Sequence, residues 1–370
     1  MTTRRRLLHV LVLFGLAGVL AFYVVEIEAW SRGRAASESD FRVFHAAARS
    51  LVGTGDPYPP TLPANGENLN NPHTTALLFA PFAGLPFRDA FLAYTTLSLL
   101  LMLAAVPFLV GAAGGGREPF AHLATALLLL AWPQSYRSAV TGQVGVVLLL
   151  PVAVGWWALA KGRERLGGAA LGAVLGMKVF AGLFAPALLL ARRVRAAAAL
   201  VVTGAALYGI GLVSFGWGAY ARHFRILRDV QVTGYGNNAS LMATAVRLEL
   251  PAPLLAALMA VVLVAVLWVA WNADGPGPVL GATVPGMLLL SPLAWYYYLP
   301  LLAVTLLVAW VRGGWPRWLA AGAWVVAGVP GGELSLTPET VGLALMLIAM
   351  VGAAAAGRPL PGVEGPRGSG

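Results

Sequence analysis

Along most of this chain hydrophobic positions do not alternate with polar ones; they run together. Long apolar runs follow one another from Leu7 to residue 356, and short polar or basic breaks separate them. A bilayer core takes roughly 20 helical residues per crossing. The pattern therefore predicts an all-α polytopic membrane protein, a helical bundle of about 10–12 transmembrane or half-membrane helices. Spans are expected at Leu7–Val25, 89–112, 120–138, 143–160, 197–216, 252–271, 279–293, 296–311, 317–330 and 339–356. The first run is longer than a usual signal-peptide core. The following Glu26-Ile27-Glu28-Ala29-Trp30 offers no small-x-small cleavage site, so the run reads as a retained span.

The exceptions to this pattern carry most of the information. Two stretches, 26–73 and 218–250, are too polar to span and are expected as loops on the outer face. Within the first, Phe41, Phe44, Ala48 and Leu51 recur at helical spacing and predict an amphipathic helix lying on the membrane surface. Thr74–Phe87 is apolar but short and broken by Pro81 and Pro86, as in a juxtamembrane or re-entrant helix. Leu166–Ala191 lies between two basic clusters that both favour the cytoplasm. One crossing would separate them. Two half-length helices breaking near Met177-Lys178 would keep them together, and irregular backbone at that depth must be buried in protein or line a wet cavity.

Charge sharpens the orientation. Only 11% of residues are charged and 59% are hydrophobic, against about 25% charged in soluble domains. The net charge of +10 is gathered in clusters between spans: Arg4-Arg5-Arg6, Lys161 to Arg165, Arg192 to Arg195, Arg312 and Arg317. That distribution is the positive-inside pattern rather than a nucleic-acid surface. It places the N-terminus in the cytoplasm and the protein in the cell membrane as a multi-pass chain. Residues 1–356 are expected as one transmembrane unit and 357–370 as a disordered cytoplasmic tail. The absence of cysteine excludes disulfides, thiolate metal sites and cysteine nucleophiles. No Walker loop, HExxH or clustered metal ligands occur, so ATP-driven transport and metalloprotease chemistry lack a motif.

Candidate chemistry lies outside the cytoplasmic clusters. Asp40 heads the amphipathic segment and reads either as a general base at membrane level or as an N-cap, a task Ser39 could also perform. His45 and His73 are possible sugar contacts or ordinary interfacial histidines, and Asp56 in Gly55-Asp56-Pro57-Tyr58 is a turn residue. Lys178, in the middle of an apolar run, is costly unless it meets an anion, which points to a phosphate. Arg247 follows Gly236-Asn237-Asn238-Ala239-Ser240 and suits bidentate phosphate binding, or anchors the interface. Arg222, Arg225 and Arg228 form a stripe for lipid headgroups. Gln143 opens a span, and Ser291-Pro292-Leu293-Ala294-Trp295-Tyr296-Tyr297-Tyr298 is either an aromatic belt or a stacking surface for a sugar.

Taken in order, several blocks resemble glycosyltransferase family 87, the polyprenyl-phosphate-mannose-dependent α-mannosyltransferases. The blocks are Ser39 to Ala47 with Gly55-Asp56-Pro57-Tyr58; Asn71-Pro72 with Ala80-Pro81-Phe82; Thr141-Gly142-Gln143; Gly172 to Lys178 with Ala191-Arg192-Arg193; Gly236 to Ser240 with Arg247; and Ser291 to Trp295. The resemblance implies a GT-C fold, an inverting mechanism and an active site on the non-cytoplasmic face. It implies a polyprenyl-phosphate sugar donor, with mannose the expected hexose, and a glycan or glycolipid acceptor. Asp40 matches the family's general base, and Lys178 and Arg247 match basic positions that hold the leaving phosphate without a metal or other cofactor. His45, His73, Gln143, Asn237, Ser240, Trp295 and Tyr297 are the expected substrate contacts. One departure stands out: where family members often carry histidine after the Ser-Pro…Trp block, this chain has Tyr296, Tyr297 and Tyr298. The competing reading is a transporter or flippase of lipid-linked saccharides, since broken helices also mark transporter sites.

Overall fold

The structure, a computed structural model, describes residues 3–58, 74–229, 236–331, 334 and 336–356. Among the described residues the fold is all-α, and the only strand-like feature is an isolated bridge between Asn238 and Trp295. A long α1 (Thr3–Arg32) passes through the single turn α2 (Ala35–Glu38) into α3 (Phe41–Thr54). Gly55 stops α3 at φ 75°, a left-handed geometry that glycine adopts without a Cβ clash. α4 (Thr74–Phe79) and a 3-10 turn at Ala80–Phe82 lead to α5 (Phe87–Ala112).

α6 (Pro119–Leu130), α7 (Pro133–Val140) and α8 (Gly145–Ala160) follow. Next come α9 (Glu164–Met177), a 3-10 turn at Val179–Leu183, α10 (Phe184–Leu190) and α11 (Val194–Asp229). The short α12 (Leu241–Arg247) precedes α13 (Ala252–Trp271) and α14 (Pro276–Leu290). A 3-10 segment at Tyr296–Leu302 runs into α15 (Ala303–Arg312), and α16 (Gly314–Gly328) and α17 (Pro338–Ala355) close the bundle.

Among the described residues, five helical segments are long and apolar enough to cross a bilayer: Arg6–Arg32, Phe87–Ala112, Val194–Arg225, Ala252–Trp271 and Pro338–Ala355. Leu7, Phe14 and Val24 of α1 and Val261, Val264 and Trp271 of α13 are exposed. Such faces are stable against lipid and would not be against water. The protein is a multi-pass membrane protein.

Two expected spans and one expected residue role differ in the structure. The crossing expected over 120–138 is divided, because Pro133 lacks an N–H and holds Trp132 extended (φ −78°, ψ 129°). α7 then forms a 119° bend with α8. The span expected at 197–216 does not end there: α11 kinks at Gly216 (φ 70°) and continues to Asp229. Within that continuation Arg222, expected on a lipid-facing stripe, instead makes a 2.6 Å ion pair with Asp56. Asp56 also accepts the Tyr58 backbone N–H at 3.0 Å, as a turn residue does.

The segment between the two basic clusters is a helical hairpin broken at Lys178. Arg193 pairs with Glu164, so its two ends meet. α9 and α11 run parallel: Gly168 packs on Ala196, Gly172 on Leu200 and Gly176 on Leu207. That glycine stripe lets the two backbones touch. The same end of the bundle holds the contacts of Arg163 with Trp157, Asp274 with Arg312 and Gly352 with Trp315.

Candidate active site

The site grows from the junction of α2 and α3. Ser39 turns its hydroxyl back onto the Ala35 carbonyl and closes α2. Asp40 occupies the N-cap position of α3, yet its side chain caps nothing. Instead its Oδ2 accepts a 2.6 Å hydrogen bond from the Gln143 side-chain amide. The helix start is fixed by backbone: the Phe41 N–H donates to the Thr141 carbonyl at 3.1 Å. Gly142 has φ 68° and lies flat on Phe41, where a Cβ would overlap the Phe41 side chain. The Gln143 carbonyl accepts the Tyr94 hydroxyl at 3.2 Å. The Thr141-Gly142-Gln143 turn is thus held from both sides, and its amide is aimed at the Asp40 carboxylate.

Tyr297 is a second neighbour, its hydroxyl close enough to the Asp40 carboxylate to interact with it electrostatically. Its backbone comes close enough to α8 that a Cβ at Gly145 would overlap the Tyr297 carbonyl. Lys178 sits at the hairpin tip in extended conformation (φ −146°, ψ 116°), which ends α9. Carbonyls freed at that break need partners. Thr74 donates to the Gly176 carbonyl at 2.8 Å and Thr75 to that of Met177 at 3.5 Å. The Lys178 ammonium lies over the Tyr298 ring, 4.7 Å from its centre, and within electrostatic reach of Asp40.

The consecutive tyrosines therefore each meet a different charged side chain. Tyr297 meets Asp40, Tyr298 meets Lys178, and Tyr296 carries the Arg137 guanidinium at 4.8 Å from its ring centre.

A second set of expected residues serves as the joint that holds this segment. Asn238 accepts the backbone N–H groups of Ser240 and Ala294 and donates to the Pro292 carbonyl. Ser240 caps α12 through Ala243 and donates to the same Pro292 carbonyl. Trp295 is bridged to Asn238, and the Asn237 carbonyl accepts the Tyr296 N–H at 3.0 Å while its side chain is exposed. Arg247 donates to the Asn238 carbonyl (3.0 Å) and to Thr244 (2.9 Å), in the field of Glu339. Asn237, Ser240, Trp295 and Arg247 thus register the tyrosine segment against the rest of the bundle.

His45 is buried, and its Nε2 lies 3.2 Å from the Phe82 carbonyl while its ring stacks on Phe41. Burial pushes its pKa below the ordinary histidine value, so the neutral ring donates to Phe82 and ties α3 to the 3-10 turn. His73 lies outside the described residues. Sequence reasoning missed Arg137, which sat inside an expected crossing; a cation in an apolar run was the available signal, as it was for Lys178.

The profile of glycosyltransferase family 87 matches residues 69–293, more than half of the 370 residues. The chain belongs to glycosyltransferase family 87. No curated protein and no solved structure matches it. As a family-87 protein it is a membrane glycosyltransferase. The matched segment contains Gln143, Lys178 and Arg247, begins after Asp40 and ends before the tyrosines. In this glycosyltransferase the hydrogen bond from Gln143 joins the matched segment to Asp40.

Proposed function

We propose that this membrane glycosyltransferase moves a hexose, mannose, from a polyprenyl-phosphate donor to a hydroxyl of a glycolipid or polysaccharide acceptor. The transfer takes place on the non-cytoplasmic face, with inversion and with Asp40 as general base. The observation that carries this reading is the convergence on Asp40 of Gln143, Tyr297 and Lys178, from three separate parts of the chain.

The chemistry follows from those positions. The acceptor oxygen attacks the anomeric carbon and forms the new C–O bond. The bond from that carbon to the phosphate oxygen breaks, and polyprenyl phosphate leaves with the electron pair. Asp40 takes the hydroxyl proton as the bond forms, a contribution of about 100- to 10,000-fold when the base is well placed. Gln143 holds the carboxylate through Oδ2, with Tyr297 beside it, which leaves the other oxygen for the acceptor hydroxyl.

Lys178 opposes the charge that grows on the leaving phosphate. In a site that excludes water, a fixed cation is worth far more than in solvent. No metal or other cofactor is required by this scheme. The half-length helices of the hairpin place Lys178 within the bundle, where a lipid phosphate entering between helices reaches it. Arg247, whose guanidinium is tied to the Asn238 carbonyl and Thr244 in the joint, stands as a further basic residue for the donor.

The test uses the purified protein with radiolabelled polyprenyl-phosphate mannose in lipid nanodiscs, with extracted membrane glycolipids as acceptors. Transfer of label to a hydroxyl acceptor, with inversion at the anomeric carbon, is the expected result. Movement of the lipid-linked sugar across vesicles with no covalent product would replace this reading with a flippase.

A further inference from the structure

We propose that Arg137 is a second oxyanion-binding cation of the site, carried on Tyr296 as Lys178 is carried on Tyr298. The inference rests on the function proposed above and adds a residue that the resemblance did not supply.

Arg137 lies on α7, inside the bent pair that α7 forms with α8. A guanidinium in such a position is costly unless it meets an anion. Among the described residues no carboxylate comes within ion-pair distance of it; Glu339 acts on it only through its field, and Glu339 itself receives the Gly331 N–H at 3.0 Å. What supports Arg137 is the face of Tyr296 at 4.8 Å. A ring face orients a guanidinium but takes none of its in-plane N–H donors. The donors stay available for the planar, bidentate pairing that phosphate offers.

A second observation points the same way. The ten residues from Gln134 to Gln143 hold several buried hydrogen-bonding atoms with no protein partner: Gln134 Oε1, Ser135 Oγ, Ser138 Oγ and Gln143 Oε1. Buried polar atoms are nearly always satisfied, so these belong to a segment that water or a polar ligand completes. Ser138 lies beside Gly145, at the close approach of Tyr297. Gln143 itself grips Asp40. The unsatisfied atoms and Arg137 thus sit on the segment that positions the base.

The run of tyrosines links the three charged groups. Three neighbouring residues present Arg137, Asp40 and Lys178 in that order, each on or beside its own ring. A base with two cations on neighbouring rings fits a reaction in which one cation takes the phosphate that leaves with the polyprenyl chain. The other then holds a further oxygen of that phosphate, or the phosphate of a lipid headgroup. Both offer the same chemistry, anionic phosphate oxygens on a lipid, and an experiment separates the sources.

Full-length protein is placed in phosphatidylcholine nanodiscs and titrated with unglycosylated polyprenyl phosphate, then separately with phosphatidylglycerol. Wild type is compared with Arg137→Ala and Arg137→Lys, each first checked for wild-type thermal unfolding. Loss of a charge-assisted contact predicts polyprenyl-phosphate binding weaker by about tenfold or more in Arg137→Ala, with Arg137→Lys recovering part of the loss. Weakening confined to the phosphatidylglycerol titration assigns Arg137 to a headgroup phosphate instead of the donor. Unchanged binding in both titrations, with wild type binding polyprenyl phosphate, overturns the inference and leaves the proposed function standing. Should Arg137→Ala fail to fold, the charge-neutral Arg137→Gln takes its place. Failure of wild type to bind polyprenyl phosphate at all would instead remove the proposed function.

Discussion

Arg193 and Arg312 lie at the loops that close α10 and α15, and each is neutralised by a carboxylate from a neighbouring loop, Glu164 and Asp274. At the other end of the bundle Arg137 and Lys178 rest on the faces of Tyr296 and Tyr298. The two arrangements solve different problems. A carboxylate partner quenches a cation and fixes a fold. An aromatic face supports a cation while leaving its charge to act on a ligand. The contrast is one of sites rather than of every cation, since Arg163 also rests on Trp157: Arg193 and Arg312 are held by carboxylates alone, whereas Arg137 has a ring, and Lys178 has a ring and Asp40 within reach.

The largest test of that contrast is Asp40→Asn, which keeps the shape of the side chain and removes the base. Transfer is expected to fall roughly 1,000-fold with unfolding temperature unchanged; an active variant would sever the charge cluster from the chemistry. Next come two glycines at opposite ends. Alanine at Gly145 forces the Tyr297 carbonyl away, and alanine at Gly168 forces apart α9 and α11 at Ala196. Each should lower stability by about 3 kcal/mol. Only Gly145→Ala is expected to lower kcat of the protein that remains folded, and equal losses of kcat would erase the distinction between the ends.

Gln143→Ala is milder. It frees one hydrogen bond to Asp40 and should reduce kcat about tenfold while KM for the donor holds steady. The smallest effect belongs to Glu164→Gln, a partly exposed ion pair worth less than about 1 kcal/mol. Transfer kinetics should match wild type, and a change would show that the hairpin base is coupled to its tip.

Much of this architecture was legible in the chain. Apolar run lengths gave the bundle, and the two basic clusters around Leu166–Ala191 forced a hairpin broken at Lys178, because a cation loop cannot be left on the wrong side of a membrane. The spacing of Phe41, Phe44, Ala48 and Leu51 marked α3. Less could be read where one residue overrides a window. Pro133 divided a crossing that composition alone joined, and α11 ran through Gly216 because glycine accepts the positive φ of the kink. At the site, Asp40, Gln143, Lys178 and Tyr297 come together, but the sequence left open whether Asp40 was a cap. Only the direction of its side chain, toward Gln143 rather than its own helix, decides that. The structural tasks of His45, Ser240 and Asn237 were hidden for the same reason: each depends on a carbonyl or an N–H far away in sequence.

The most direct measurement is a structure of Asp40→Asn with polyprenyl-phosphate mannose bound. The account predicts the phosphate against Lys178, with the anomeric carbon between that phosphate and residue 40. A donor phosphate found at the opposite end of the bundle, among Arg163, Arg165 and Arg193, would contradict it.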